Sequence, residues 1–308
     1  MPADPDSGLR KAAFDHVSLL ARIYDDLVPL AELAKGFTYQ GRRISLGSFY
    51  KGIHRPKVMR GAAALVLVTT PPKPGAPPPY EDQVDLEEGV VVYSYRDGPI
   101  DSPDNRALRA AAVEGVPLIY FWGIAPGQYQ PVLPVFAVSD DPGTRTVLLA
   151  VGPAFIDVEH LRQPRARDER AWRLREVSVR LHQNRFRVDV LRAYRTRCAV
   201  CQLRERSLVQ AAHIIEDPDP DGIAAVVNGI ALCAMHHLAY DRNLMGIDPS
   251  GIVHIGKRLR DTTDGPMLRE GLLGFHGAHL HFPRRQQDRP DPRRLARRFE
   301  TFEEADAA

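Results

Sequence analysis

Cysteine is scarce in this sequence, three in 308 residues. Three thiols cannot build a disulfide framework, and two of them stand as Cys198-Ala-Val-Cys201, a spacing that points to metal binding in a reducing cytoplasm. Long apolar runs are absent: nothing approaches the roughly 20 residues that span a bilayer. Met1 to Arg10 holds Asp4 and Asp6 and no apolar stretch, so no secretory leader is expected. Net charge is nearly absent too, a formal +2, which by itself selects no partner. These absences argue against secreted, membrane-spanning and fibrous classes, and the expected location is the cytoplasm.

What is present is the material of a globular protein. Apolar residues make 44% of the chain and charged residues 26%, and the length matches about two domains. The charge is unevenly placed. From Asp157 to Arg206 arginines outnumber acids about two to one, and basic residues again exceed acids between Lys257 and Glu300. Tyr80 to Asp104 is acidic instead. A basic C-terminal half beside a more acidic N-terminal half fits a polyanion-binding module joined to one with another task, although a solvated helix face laced with i,i+4 pairs would read the same way.

Periodicity divides the chain. Phe14 to Ala34 carries Leu19, Leu20, Ile23, Leu27, Leu30 and Leu33 at helical spacing. Ala64–Thr69, Val90–Tyr95, Pro117–Trp122, Val132–Val138 and Thr144–Val151 predict strands, broken by a proline-rich loop over Pro71–Pro79 and a short helix over Asn105–Val113. The expected class is α+β, with a curved sheet or barrel in the N-terminal half. Glu159–Arg195 is Arg-rich and helical in pattern. Two short strands then lead to a helix beginning near Asn228 or Ala231, and Pro292–Glu303 predicts a terminal helix. The expected organisation is an N-terminal domain over 1–157, a helical connector over 158–190, and a second domain over 191–308 that ends in a basic tail.

The strongest chemical signal lies between Cys198 and Asp241. Cys198-x-x-Cys201 and Cys233-x-x-His236 are two ligand pairs of the kind that set four N/S donors tetrahedrally around Zn²⁺, and they use every cysteine in the chain. A redox Cys-x-x-Cys beside an unrelated Cys233 is the bland alternative. In so small a unit, structural zinc would supply folding energy directly. Around the cluster stand Ala211-Ala-His213-Ile, Asn228-Gly-Ile-Ala-Leu-Cys233 and His236-His237-x-x-x-Asp241. A histidine ending a strand, an asparagine in the following loop and a histidine on a helix resemble the zinc-stapled branch of the HNH, or ββα-metal, nucleases, over about Arg180 to Arg260. The resemblance implies phosphodiester hydrolysis. His213 would be the general base, Asn228 would tie the loop that aims it, and His237 would hold a catalytic Mg²⁺ or Mn²⁺ against the phosphate. Many relatives carry an acid or histidine just before the base as a second metal ligand. Ala212 stands there in this chain, and Asp241 is the candidate outer-shell partner.

In the N-terminal half, Gly52-Ile-His-Arg-Pro56, Tyr80-Glu-Asp-Gln-Val-Asp85, Val92-Tyr-Ser-Tyr-Arg-Asp-Gly98, Asp104-Asn-Arg-Ala-Leu108 and Gly115-Val-Pro-Leu-Ile119 follow the order seen in SRA (SET and RING associated) domains, which are PUA-like. That resemblance implies a domain that flips a modified cytosine out of duplex DNA, stacks it between aromatic faces and reads its edge. Tyr80 would be one face and Tyr93 or Tyr95 the other. Asp82 or Gln83 would meet the Watson–Crick edge, the family's usual aspartate falling at Gln83. Arg55 and Lys57 would touch the DNA backbone. Little chain separates Gly98 from Asn105, so no finger loop probing the opposite strand is expected. The two halves together resemble the bacterial SRA-HNH modification-dependent restriction endonucleases. They imply cleavage of double-stranded DNA carrying 5-methylcytosine or 5-hydroxymethylcytosine, and a homodimer for cutting both strands. A non-cleaving reader with a structural zinc unit is the first alternative. An HNH nuclease whose β-domain binds RNA or a partner protein is the second.

Overall fold

A computed structural model describes residues 4–47, 51–71, 84–85, 90–152 and 167–307. They form two compact units, divided between Asn184 and Arg185.

The first unit is α+β. Its strands are β1 (Val28–Pro29), β2 (Phe37–Tyr39), β3 (Arg42–Ile44), β4 (Ile53–His54), β5 (Val66–Val68), β6 (Val84–Asp85), β7 (Val90–Ser94), β8 (Leu118–Ala125), β9 (Gln128–Asp141) and β10 (Thr146–Val151). Eight of them make a curled half-barrel sheet in the order β4-β5-β8-β9-β10-β7-β6, with β1 also paired to β9, while β2 and β3 form a separate hairpin. Among the described strands only β5 and β8 run parallel. The sheet is buried on both faces, which is why its central strands read as continuous apolar runs. Period-2 alternation sorts them: Leu118, Tyr120 and Trp122 of β8 enter one core, Ile119 and Phe121 the other. Helix α3 (Pro103–Glu114) covers the first core. Ser102 caps its start and Gly115 ends it at φ +64°, a left-handed turn that glycine adopts without penalty.

Helix α1 (Ser7–Ile23) covers the second core and corrects the expected helix over Phe14–Ala34. It starts in the polar leader, and the short α2 (Leu30–Leu33) is a separate element. The buried stripe is Leu9, Ala13, Val17 and Leu20, whereas Leu19 and Ile23 are exposed. The chain leaves the helix through Asp25 and Asp26, both at positive φ, which short polar side chains tolerate best. That break resets the register, so one stripe could not continue through to Leu33.

Helix α4 (Arg167–Ala193) leads into the second unit. There β11 (Val209–His213) and β12 (Gly229–Cys233) form an antiparallel hairpin followed by α5 (Ala234–Asp241). The helix expected from Asn228 or Ala231 thus begins at Ala234. Gly229-Ile-Ala-Leu-Cys233 is fully buried strand, and short apolar runs do not separate strand from helix by period. A second hairpin, β13 (Met245–Ile247) with β14 (Val253–Ile255), precedes α6 (Lys257–Arg260), α7 (Pro266–Gly271) and the terminal α8 (Pro292–Ala307). No helix among the described residues is long and apolar enough to cross a membrane.

Candidate active site and metal cluster

Two groups of side chains converge on the β11–β12–α5 unit. The first is Cys198, Cys201, Cys233 and His236, whose donor atoms all lie within 4.8 Å of one another. Cys233 Sγ is 3.0 Å and Cys198 Sγ 3.6 Å from His236 Nδ1, and Cys201 Sγ is 3.9 Å from Cys233 Sγ. A tetrahedron with Zn–S bonds near 2.3 Å has edges of about 3.8 Å, so soft donors at this spacing fit zinc. The electrostatics agree. Hydrogen bonds from Cys201 and Cys233 hold the Cys198 thiol far below its ordinary range. Burial works against charge on His236, yet its contacts with Cys198 and Cys233 push its pKa up to about 9. Contacts with the same two cysteines push the Cys201 thiol up, so the sulfurs compete for negative charge that a shared cation would neutralise. His236 Nε2 is buried without a polar partner, its ring edge-on to Phe275 at 5.3 Å.

The cluster ties three elements together. The loop after α4 carries Cys198 and Cys201, and Ala199 N donates to Ala231 O of β12 at 2.7 Å. Cys233 ends β12, and His236 stands in the first turn of α5. The residue after His236 is His237, so whatever fixes the cluster also fixes His237.

The second group is His213, Asn228 and His237. His213 ends β11 opposite Gly229. Its ring stacks on Phe186 of α4, centroids 3.8 Å apart and planes 11° from parallel. Gly229 permits this: a Cβ there would lie 2.4 Å from Val190 Cγ2 and 2.9 Å from the Phe186 ring. Burial, together with the nearby His237, holds the His213 pKa below its ordinary value against the raising influence of Asp217, Asp241 and Glu216. The imidazole is therefore neutral at physiological pH, with Nε2 sealed from solvent and unpartnered.

Asn228 is fully buried. Its Oδ1 accepts from Ile215 N at 2.9 Å, and its Nδ2 donates to Ile215 O at 2.9 Å and Ile223 O at 3.0 Å. The amide thus clamps the chain two residues beyond His213. The loop is tied from its outer side as well, where Arg297 of α8 pairs with Asp219 at 2.6 Å and Asp221 at 2.8 Å.

His237 contributes a detail that sequence reading missed. Its Nδ1 lies 2.8 Å from Gln210 Oε1 on β11. An amide oxygen only accepts, so Nδ1 carries a proton, and in the neutral ring the lone pair then sits on Nε2. That lone pair faces Asp241 Oδ2 at 3.4 Å, one helical turn on. Gln210 carried no signal in the sequence because it stands on the strand, outside the motif letters.

Residues 198–248 match the model of the HNH endonuclease family. The second unit contains an HNH endonuclease domain. A solved structure described as a modification-dependent TagI restriction endonuclease aligns over 80% of this chain and 83% of its own, at 16% identity and a TM-score of 0.27. No curated protein matches.

The expected base-reading residues fall partly outside the description. Tyr80, Asp82 and Gln83 lie outside the described residues. Tyr93 and Tyr95 are both buried in the core that α3 covers. Tyr93 donates to Gly52 O at 2.9 Å and Val68 O at 3.1 Å and meets Tyr120 edge-on at 5.9 Å, while Tyr95 bonds Asp140. Arg55 donates to Gly61 O and Met59 O, both at 2.7 Å, which occupies two of its guanidinium nitrogens within its own loop. Lys57 is exposed.

Proposed function

We propose that this chain is a modification-dependent DNA endonuclease. Its first unit would flip and read 5-methylcytosine or 5-hydroxymethylcytosine, and its HNH domain would hydrolyse the phosphodiester backbone. The observation that carries the nuclease half is the arrangement of His213, stacked on Phe186 and followed by the Asn228 clamp, beside a helix on which His237 Nε2 and Asp241 Oδ2 lie 3.4 Å apart.

In this reading His213 takes the proton of the attacking water on Nδ1, the nitrogen not sealed in the core. Asn228 keeps the ring aimed by holding Ile215. Gln210 fixes the tautomer of His237, so that its Nε2, with the Asp241 carboxylate, would hold the divalent cation. Asp241 then takes the part that the acid missing at Ala212 plays in many relatives. A cation bound there would neutralise charge on the phosphate and support the leaving oxygen. The Cys₃His cluster would hold structural Zn²⁺.

The modified-base half rests on the five ordered SRA-like motifs, with Tyr80 and either Tyr93 or Tyr95 as pocket walls, Asp82 or Gln83 at the base edge, and Arg55 and Lys57 toward the backbone. The organisation follows as 1–157, 158–190 and 191–308, with a cytoplasmic location and a homodimer for double-strand cutting. The deciding experiment digests otherwise identical unmodified, 5-methylcytosine and 5-hydroxymethylcytosine duplexes with Mg²⁺ or Mn²⁺, using wild type and His213→Ala. Cleavage of modified duplex by wild type alone is expected. Equal cleavage of all three duplexes would sink the reader, and full activity in His213→Ala would sink the general base. Binding without cleavage would favour the non-cleaving alternative.

A further inference from the structure

Several arginines of the second unit are tied down within it, while others, Arg204, Arg258 and Arg260 among them, have no ion pair among the described residues. Arg192 pairs with Asp189, Arg297 with Asp219 and Asp221, and Arg298 with Asn243 and the Tyr240 carbonyl; Arg289 donates to Pro283 O and lies over Phe282. These hold the fold. Arg195, Arg197 and Arg284 have no ion-pair partner among the described residues. All three line one concavity of about 170 Å³, with His281, Gln202 and Tyr194, and no carboxylate lines it.

The concavity is built where the end of α4, the cysteine-bearing loop and the segment from His281 to Arg284 meet. His281 N donates to Ala199 O at 2.8 Å, and Gln202 Nε2 donates to Cys198 O at 2.8 Å, so both rims are bonded to the zinc-site loop. Arg195 and Thr196 sit at φ +55° and +52°, and the turn they make carries Arg197 round to the same concavity as Arg195. The end of a helix repels anions through its free carbonyls. Here most of them are occupied: Leu191 O, Arg192 O and Tyr194 O accept from Thr196, Arg195 and Arg197 N.

We propose that this concavity binds a backbone phosphate of DNA, at a position separate from the HNH residues. Guanidinium groups that line one concavity without an acid among them repel one another until an anion enters, and their forks match phosphate oxygens in geometry. The volume is below the roughly 300 Å³ of pockets for drug-sized ligands and suits a single phosphate group. The inference rests on the proposed action on DNA and deepens it. The contact carries no base information. It fixes the domain on the duplex, and because its rims are bonded to the zinc-site loop, it depends on an intact cluster.

The test is a salt titration of plain-duplex binding by the full chain, with no divalent cation added. Arg197→Ala/Arg284→Ala is expected to keep the zinc content and melting temperature of wild type. It should bind about three- to tenfold more weakly near 0.1 M salt and flatten the log–log salt slope by about one unit, the size of one lost phosphate contact. Arg197→Lys/Arg284→Lys should keep most of the slope. Arg258→Ala/Arg260→Ala, which removes equal charge from α6, should leave it unchanged. Should the double alanine variant lose zinc, Arg284→Ala alone, on an exposed residue, gives the same readout at smaller size. A wild-type slope in the alanine variants, or equal flattening by the α6 control, overturns the site. Nicking of the same duplex after Mn²⁺ addition separates the two claims. Wild type that nicks while the variants keep their slope removes only this site, whereas wild type that neither binds nor nicks removes the DNA reading as well.

Discussion

Two buried asparagines use one device. Asn105 accepts from Arg96 N and donates to Arg96 O and Pro99 O, as Asn228 accepts from Ile215 N and donates to Ile215 O and Ile223 O. Each amide satisfies both backbone groups of one residue and a carbonyl farther along, which a loop without strand partners needs if it is to be buried. Asn228→Ala strands three backbone groups at about 1–3 kcal/mol each. The expected loss is at least 3 kcal/mol, about the lower bound of that sum, read by denaturant unfolding of the second unit. A loss below about 1 kcal/mol would show that the clamp is not structural. His213 makes a pH prediction. As the proposed general base it would react in its neutral form, and burial lowers its pKa, so nicking should reach its plateau at lower pH than an ordinary histidine near 6.5 allows. Asp217 raises that pKa. Asp217→Asn should therefore move the acid limb of the pH–rate profile further down, and a shift upward would contradict the assignment.

At the scale of elements, the hairpin β11–β12 and the helix α5 are held by contacts that their own sequence cannot supply. Gly229→Ala would put a methyl group against Val190 and Phe186 of α4. Overpacking of this kind costs about 1–3 kcal/mol and would also tilt Phe186 off the His213 ring, so a lower melting temperature together with reduced nicking is expected. Loss of activity without loss of stability would mean that the α4 contact positions His213 without bearing load. The Cys₃His cluster joins the same elements from the other side. Cys233→Ser or treatment with a zinc chelator should unfold the second unit while the first keeps its sheet. Protease digestion monitored by mass spectrometry would show selective cleavage beyond Arg185, and elemental analysis should find zinc in the wild type.

At the scale of the whole molecule, the prediction concerns division of labour. Phosphate contacts supply salt-sensitive affinity common to all DNA, so on the proposed reading any preference for modified cytosine would come from the first unit. A flipped base regains stacking worth about 1–3 kcal/mol against an unstacking cost of a few. With so narrow a margin, either aromatic wall is decisive. Tyr80→Ala should erase the preference for modified over plain duplex and leave weak, salt-dependent binding and Mn²⁺-supported nicking in place. Undiminished preference would put the reading pocket elsewhere.

Chemistry was legible in the residues wherever it required particular side chains at short separation. Cys198, Cys201, Cys233 and His236 announce a tetrahedral donor set from spacing alone, because ligands two or three residues apart reach a common point whatever surrounds them. Strands β7, β8 and β10 were legible for a related reason, since sheet covered on both faces demands apolar runs. What tertiary structure decided were the contacts between elements distant in the chain. The buried stripe of α1 depends on where the sheet lies, so Leu19 and Ile23, apolar and correctly spaced, ended in solvent. The start of α5 depends on β12 pairing with β11, which local period cannot reveal. Gln210 meets His237 across 27 positions, and Phe186 reaches His213 on its strand from helix α4. No composition or period encodes such meetings, because each is fixed only when the chain has closed its loops and packed one core.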